Sequence, residues 1–295
     1  MTVVNWVQSL VWWLARICSL GVPAACAAQD GSERDHIPWD VIDVLFVAGS
    51  TDWKIGSAFS SRHDRRNSHA AWAVRGEDGA VLIVNAVLEA PDTAAFSFWP
   101  TADLNPYQFM AVSASMSSRE VGSALAMLVG YNSRTGDKDR PLSGASDAIG
   151  RLLDADKVIA PGGLRVHDTQ TKVTVQPGCC CGLEDWREWL DVTDGESLWL
   201  GHDPSPRVEH ADRLVRLWPD GADAQEATGQ PIEIAVGDLP GILHSVQKEL
   251  QGFLSLTRQW AMGHVPTLAE DLAAKLDEDL GISAPLPGTT GHHAP

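Results

Sequence analysis

The chain is poor in the residues and patterns that commonly announce a function. It has five cysteines in 295 residues, and three of them, Cys179, Cys180 and Cys181, are consecutive. Neighbouring Cα atoms are about 3.8 Å apart, shorter than the usual disulfide span, so this set builds no disulfide framework. The cysteines read as reduced thiols, which points to the cytoplasm. Basic residues are also scarce. There are 22 Lys and Arg against 39 Asp and Glu, a net charge of −17. Such a chain repels phosphate backbones, so nucleic acid is not expected as a partner. The one basic cluster, Arg62-His63-Asp64-Arg65-Arg66, contains an acid and no interleaved aromatics, and reads as a solvated loop. No dinucleotide-binding glycine motif, Walker loop, nucleophile elbow, zinc-protease motif or EF-hand loop is found. These absences close the familiar routes to recognising an enzyme without excluding one.

An uninterrupted apolar run long enough to span a bilayer is lacking too. Residues 3–28 are mostly apolar, but Asn5, Gln8, Arg16 and Pro23 break the run. Three readings stand side by side: an anchor, a secretory signal ending near Ala27, or an extension produced by a mis-assigned start. Ala25-Cys26-Ala27 fits a signal cleavage site, whereas the long apolar stretch before it and Pro23 do not. The expected location is cytoplasmic, with secretion as the alternative. Membrane contact is expected only if this segment is a signal or anchor. The polar stretch 29–35 reads as a linker.

What is present suits a globular protein: 44% apolar and 21% charged residues, with 12 Trp. The negative charge is uneven. Residues 1–140 hold 11 Lys and Arg against 15 Asp and Glu, a net −4; residues 141–295 hold 11 against 24, a net −13. Two β-rich runs, 71–75 and 80–88, flank the turn Gly76-Glu77-Asp78-Gly79, and the second is apolar enough to be central and buried on both faces. Residues 94–99 are expected as a third strand. Ser117 and Glu120 form a capping box before a helix that Gly130 can end.

Beyond the polar run 132–140, a helix is expected at 145–153 and strands at 164–166, 172–176, 214–218 and 232–236. A helix over 182–191 should bury Leu183, Trp186 and Leu190. After Asp238 as cap, Leu239, Ile242, Leu243, Val246, Leu250, Phe253, Leu254 and Trp260 recur at helical spacing. That stripe should pack on a sheet containing Val173, Val175, Leu217 and Ile234. Thr267 and Glu270 should cap a last helix carrying Leu268, Leu272, Leu276 and Leu280, which is expected to pack peripherally. The elements interleave without a βαβ rhythm, so the fold class is α+β, with antiparallel sheets and helices packed on them, in two subdomains. The expected boundaries are 1–35 for the apolar segment and linker, 36–135 for a small α+β domain, 141–282 for a second with the C-terminal helix pair, and 283–295 for a disordered tail.

The densest chemistry lies in Pro177-Gly178-Cys179-Cys180-Cys181-Gly182, between a strand and a helix N-terminus. Helix N-termini favour thiolates, so Cys181 is a candidate nucleophile with His202 or His167 as base and Asp203 beside it. Glu184 and Asp185 oppose this by placing negative charge nearby. Zinc is the other use, through Cys179, Cys181, His202 and His210, although these spacings depart from the common structural ones. Close packing of small side chains in a tight turn is the reading that the residues favour over both. Trp199-Leu200-Gly201-His202-Asp203-Pro204-Ser205-Pro206 is a rigid loop suited to recognition, and also ordinary turn chemistry.

The segments Gly178-Cys179-Cys180-Cys181-Gly182-Leu183-Glu184-Asp185-Trp186-Arg187-Glu188-Trp189 and Trp199 through Pro206 resemble uncharacterised actinobacterial proteins, over roughly residues 145–280. That resemblance brings no activity, cofactor or catalytic residue with it. The charge distribution points instead to an acidic protein-binding module, immunity-like in one version, with a basic protein partner. Glu184, Asp185, Glu188, Asp191, Asp194 and Glu196 are the expected contact residues. An enzyme or zinc protein built on the cysteine turn is the alternative, and no other cofactor is expected.

Overall fold

The long apolar run is central as expected, although only one of its faces is fully buried. In the computed structural model, which describes residues 72–75, 81–91, 96–133, 141–221 and 229–287, it forms β2 (Val81–Glu89) at the centre of a five-stranded antiparallel sheet. β1 (Trp72–Arg75) pairs along residues 81–84 of one edge, and β3 (Phe109–Val112) along residues 86–89 of the same edge. β4 (Gly162–Asp168) covers the opposite edge and carries β5 (Thr174–Val175) outside it. Leu82, Val84, Ala86 and Leu88 form one fully buried face of β2; the other face is half-buried, apart from Val87. A second antiparallel sheet has the order β6 (Arg207–Ala211), β7 (Leu214–Trp218), β8 (Ile232–Ala235). The fold class is therefore α+β with antiparallel sheets.

Several expectations are corrected. Residues 96–99 form no strand; β3 at 109–112 takes that place beside β2. Phe96 and Trp99 instead pack edge to face, and Trp99 Nε1 donates to the Gly122 carbonyl at 2.7 Å. The expected boundary at 132–140 does not separate two cores. β2 from one side and β4 from the other share a seven-residue register, and buried residues from both sides belong to one hydrophobic cluster. Val175 and Leu217 likewise lie in different sheets, through β5 and β7.

The capping box forms as read: Glu120 N–H donates to Ser117 Oγ and Ser117 N–H to the Glu120 carboxylate, opening α1 (Ser118–Asn132). The helix runs past Gly130 to Asn132. α2 (Ala145–Leu153) packs beside it. In α3 (Leu239–His264) all eight stripe residues are buried, although the Asp238 side chain makes no capping bond. α3 lies against β1, β2 and β3 of the first sheet.

The C-terminal part is more deeply built in than its four-residue leucine spacing implies. α4 (Ala269–Asp279) has no side-chain cap, so the expected Thr267 box is not made, yet Leu272, Leu276 and Leu280 are fully buried. Trp186 Nε1 donates to Leu280 O at 2.8 Å. Arg187 donates to the carbonyls of Gly281, Ala284 and Pro285, and Gln247 to those of Ile282 and Ala284. Residues 283–287, expected to begin a loose tail, are held by this set; residues 288–295 lie outside the described residues. So do residues 1–71, with the apolar N-terminal segment and the linker after it, and the turn at 76–79. Among the described residues no helix is long and apolar enough to cross a membrane.

Candidate functional site

The segment expected as an α-helix at 182–191 is a 3-10 helix, Leu183–Asp194. The difference matters, because a 3-10 helix has three residues per turn and residues three apart eclipse one another. Leu183, Trp186, Trp189 and Val192 are its buried residues, each three from the last. Trp189 thus takes the place expected of Leu190, which is only half-buried. Such a run is longer than 3-10 helices commonly are. Its large apolar residues are spaced for this winding and not for 3.6 residues per turn.

The same winding sorts the carboxylates. Asp185, Glu188, Asp191 and Asp194 also stand three apart, and all four are exposed. With a rise of about 2 Å per residue, they form a row with about 6 Å between successive members. Burial, then the charges of Asp185 and Asp191 on either side, push the Glu188 carboxyl above its usual range. Lys157 reaches one end of the row, 3.6 Å from Asp185. Two of the six expected contact residues are not in the row. Glu184 is half-buried and accepts from Ala160 N–H at 2.8 Å; its carboxyl is pushed up by burial. Glu196 is exposed but lies beyond the helix, past Gly195.

Beside the row is a small hollow lined by Asp185, Glu188, Trp189, Trp199, Cys181 and Gly163. Trp199 is 59% exposed, which is unusual for so large an apolar side chain among the described residues. The chain enters this region through two loops in contact. Gly178 N–H donates to Leu200 O at 2.7 Å, Cys179 N–H to His202 O at 2.6 Å, and His202 N–H to Cys179 O at 3.2 Å. Only glycines permit this approach. A Cβ on Gly178 would stand 2.2 Å from Pro204 O, and one on Gly201 2.5 Å from the Gly178 carbonyl carbon.

That backbone pairing brings Cys179, Cys180 and His202 together, with one donor atom from each within 4.8 Å of the others. The two sulfurs are 3.3 Å apart. His202 Nδ1 lies 3.1 Å from Asp203 Oδ2. The Asp203 hydrogen bond, followed by that of Cys180, raises the His202 pKa. The contact with Cys179, then the one with His202, lowers that of Cys180.

Cys181, the expected nucleophile and zinc ligand, is not in the cluster. It faces the hollow, and its thiol is pushed up to about 11 by burial and then by Asp185 and Glu184. Cys180 takes its place because a left-handed backbone, φ 67°, breaks the alternation of side chains along the turn. The sequence carried no signal for that reversal. His210 is bonded to Glu196 O through Nε2, and His167 to Thr174 Oγ1 through Nδ1; neither joins the cluster. No protein-family model, no curated protein and no solved structure matches this chain.

Proposed function

We propose that this protein is a docking module for a basic protein segment, which it engages through the carboxylate row Asp185, Glu188, Asp191 and Asp194 with Trp199 as aromatic anchor. The observation that carries the reading is the meeting of exposed Trp199 with Asp185 and Glu188 around one hollow. An Arg or Lys side chain laid over it would meet the exposed Trp199 ring and two carboxylates together, a cation–π contact beside two ion pairs. The rest of the row continues the match. Its spacing of about 6 Å is close to that of residues i and i+4 along an α-helix, about 6 Å, and of i and i+2 along a strand, about 6.6 Å. A strand with cations at every second residue places one opposite each acid, whereas a helix with cations at i and i+4 turns by about 40° per step and matches two neighbouring acids. The net −13 of residues 141–295 adds long-range attraction and speeds encounter. A basic toxin or nuclease held inactive in this way would make the role immunity-like.

The test is binding of a short, labelled oligo-arginine peptide, followed by fluorescence polarisation. The variant Asp185→Asn, Glu188→Gln, Asp191→Asn, Asp194→Asn is compared with a control that removes four exposed charges elsewhere: Asp154→Asn, Asp156→Asn, Asp271→Asn, Glu278→Gln. Four pairs worth a few tenths of a kcal/mol each predict a loss of about tenfold for the first variant. The control should change little. Equal weakening by both would reduce the effect to net charge and remove the site.

A further inference from the structure

We infer that Cys179, Cys180 and His202 form a zinc-binding site, with Asp203 orienting the imidazole. This goes beyond the docking reading and does not depend on it. The three donors come from two loops, and the pairing of those loops is fixed by backbone hydrogen bonds, so the site is assembled by the fold. Cys179 and His202 are directly opposite partners in an antiparallel bridge, which puts their side chains on one side. Cys180 would ordinarily point away from Cys179. Its left-handed backbone turns the thiol back, and the two sulfurs lie 3.3 Å apart.

A tetrahedral zinc ion with Zn–S of about 2.3 Å and Zn–N of about 2.1 Å needs its ligand atoms about 3.5–3.8 Å apart. Donor atoms within 4.8 Å of one another reach that arrangement by small side-chain rotations. Two thiolates and a neutral imidazole neutralise the ion and suit a borderline-soft d10 cation. The three-donor set leaves a fourth position for water. The contact from His202 Nδ1 to the Asp203 carboxylate is the outer support that metal-bound histidines characteristically have, and it leaves Nε2 for the ion. Binding replaces the two S–H bonds by two Zn–S bonds and releases both protons to solvent.

The full chain is reduced and titrated with Co2+ as the spectroscopic probe and with Zn2+ in competition with a chromophoric chelator. Cys18→Ser and Cys26→Ser are introduced as background, so that thiolate can come only from the three-cysteine turn. The expected result is one ion per chain with a thiolate-to-cobalt charge-transfer band. Cys179→Ser, Cys180→Ser or His202→Ala should each remove it, while circular dichroism shows the fold retained. Cys181→Ser and His210→Ala should keep it, and Asp203→Asn should weaken zinc about tenfold. No charge-transfer band, a band that survives Cys180→Ser, or one that is lost with Cys181→Ser would overturn the assignment.

Discussion

Replacing Trp186 with phenylalanine should cost the protein about 2–4 kcal/mol, because this side chain ties the acidic 3-10 helix to the end of α4. Trp186 is 1% exposed, and its Nε1 donates to Leu280 O at 2.8 Å. Phenylalanine keeps a six-membered ring but removes the pyrrole edge, a volume of about 40 Å3; at about 24 cal/mol per Å3 the cavity costs about 1 kcal/mol. The larger part is the Leu280 carbonyl. Left without its donor in a buried position, it costs about 1–3 kcal/mol. Urea unfolding followed by circular dichroism reads the loss as a lower midpoint at unchanged slope. Hydrogen exchange should show faster opening at Ile282, whose N–H is bonded to Asp277 O. A variant within about 0.5 kcal/mol of the parent, the range of a neutral surface change, would mean that the contact does not hold the helix in place.

Truncation after Gly263 removes the fully buried Leu272, Leu276, Leu280 and Ile282. At about 1.5–3 kcal/mol each, their loss approaches the entire stability of a typical domain, so the shortened chain should show no cooperative melt. Asp168 carries a pH dependence. Burial raises its carboxyl, but the hydrogen bonds from Thr171 Oγ1 and the Gln170 N–H outweigh it, so the folded pKa lies below the usual one. A depressed folded pKa gives stability that is present above the unfolded value of about 3.9 and lost as pH falls through the folded one. Asp168→Asn should flatten that acid-side slope in melts recorded against pH. Among the three thiols of the turn in the metal-free protein, iodoacetamide at about pH 8 should label Cys180 first and Cys181 last, with the order read by tandem mass spectrometry. Early labelling of Cys181 would contradict its burial.

The fold was legible where one residue period decided it. The eight-residue stripe of α3 and the Ser117–Glu120 box follow local rules and are realised; the β2 run is central as expected, but only one of its faces is fully buried. Legibility failed where the winding itself was the unknown. Read at 3.6 residues per turn, 182–191 pairs Trp186 with Leu190; wound at three, it buries Trp189 and lines up four acids that otherwise scatter. The spacing Leu183, Trp186, Trp189, Val192 is the sequence sign of that winding. α4 was underestimated for another reason. Its leucines meet partners, Trp186 above all, from far along the chain, and no local pattern reports such contacts. The thiol cluster lay half within reach: Cys179, His202 and Asp203 were named, whereas the exchange of Cys181 for Cys180 depends on one backbone reversal.

The docking account is tested most directly at Trp199. Tryptophans are labelled with 5-fluorotryptophan, the Trp199 resonance is assigned by Trp199→Phe, and the oligo-arginine peptide is titrated in by 19F NMR. The account predicts that the Trp199 signal shifts with peptide, that the buried Trp186 signal moves less, and that added salt reverses the shift. A peptide that binds while the Trp199 signal stays still would contradict it.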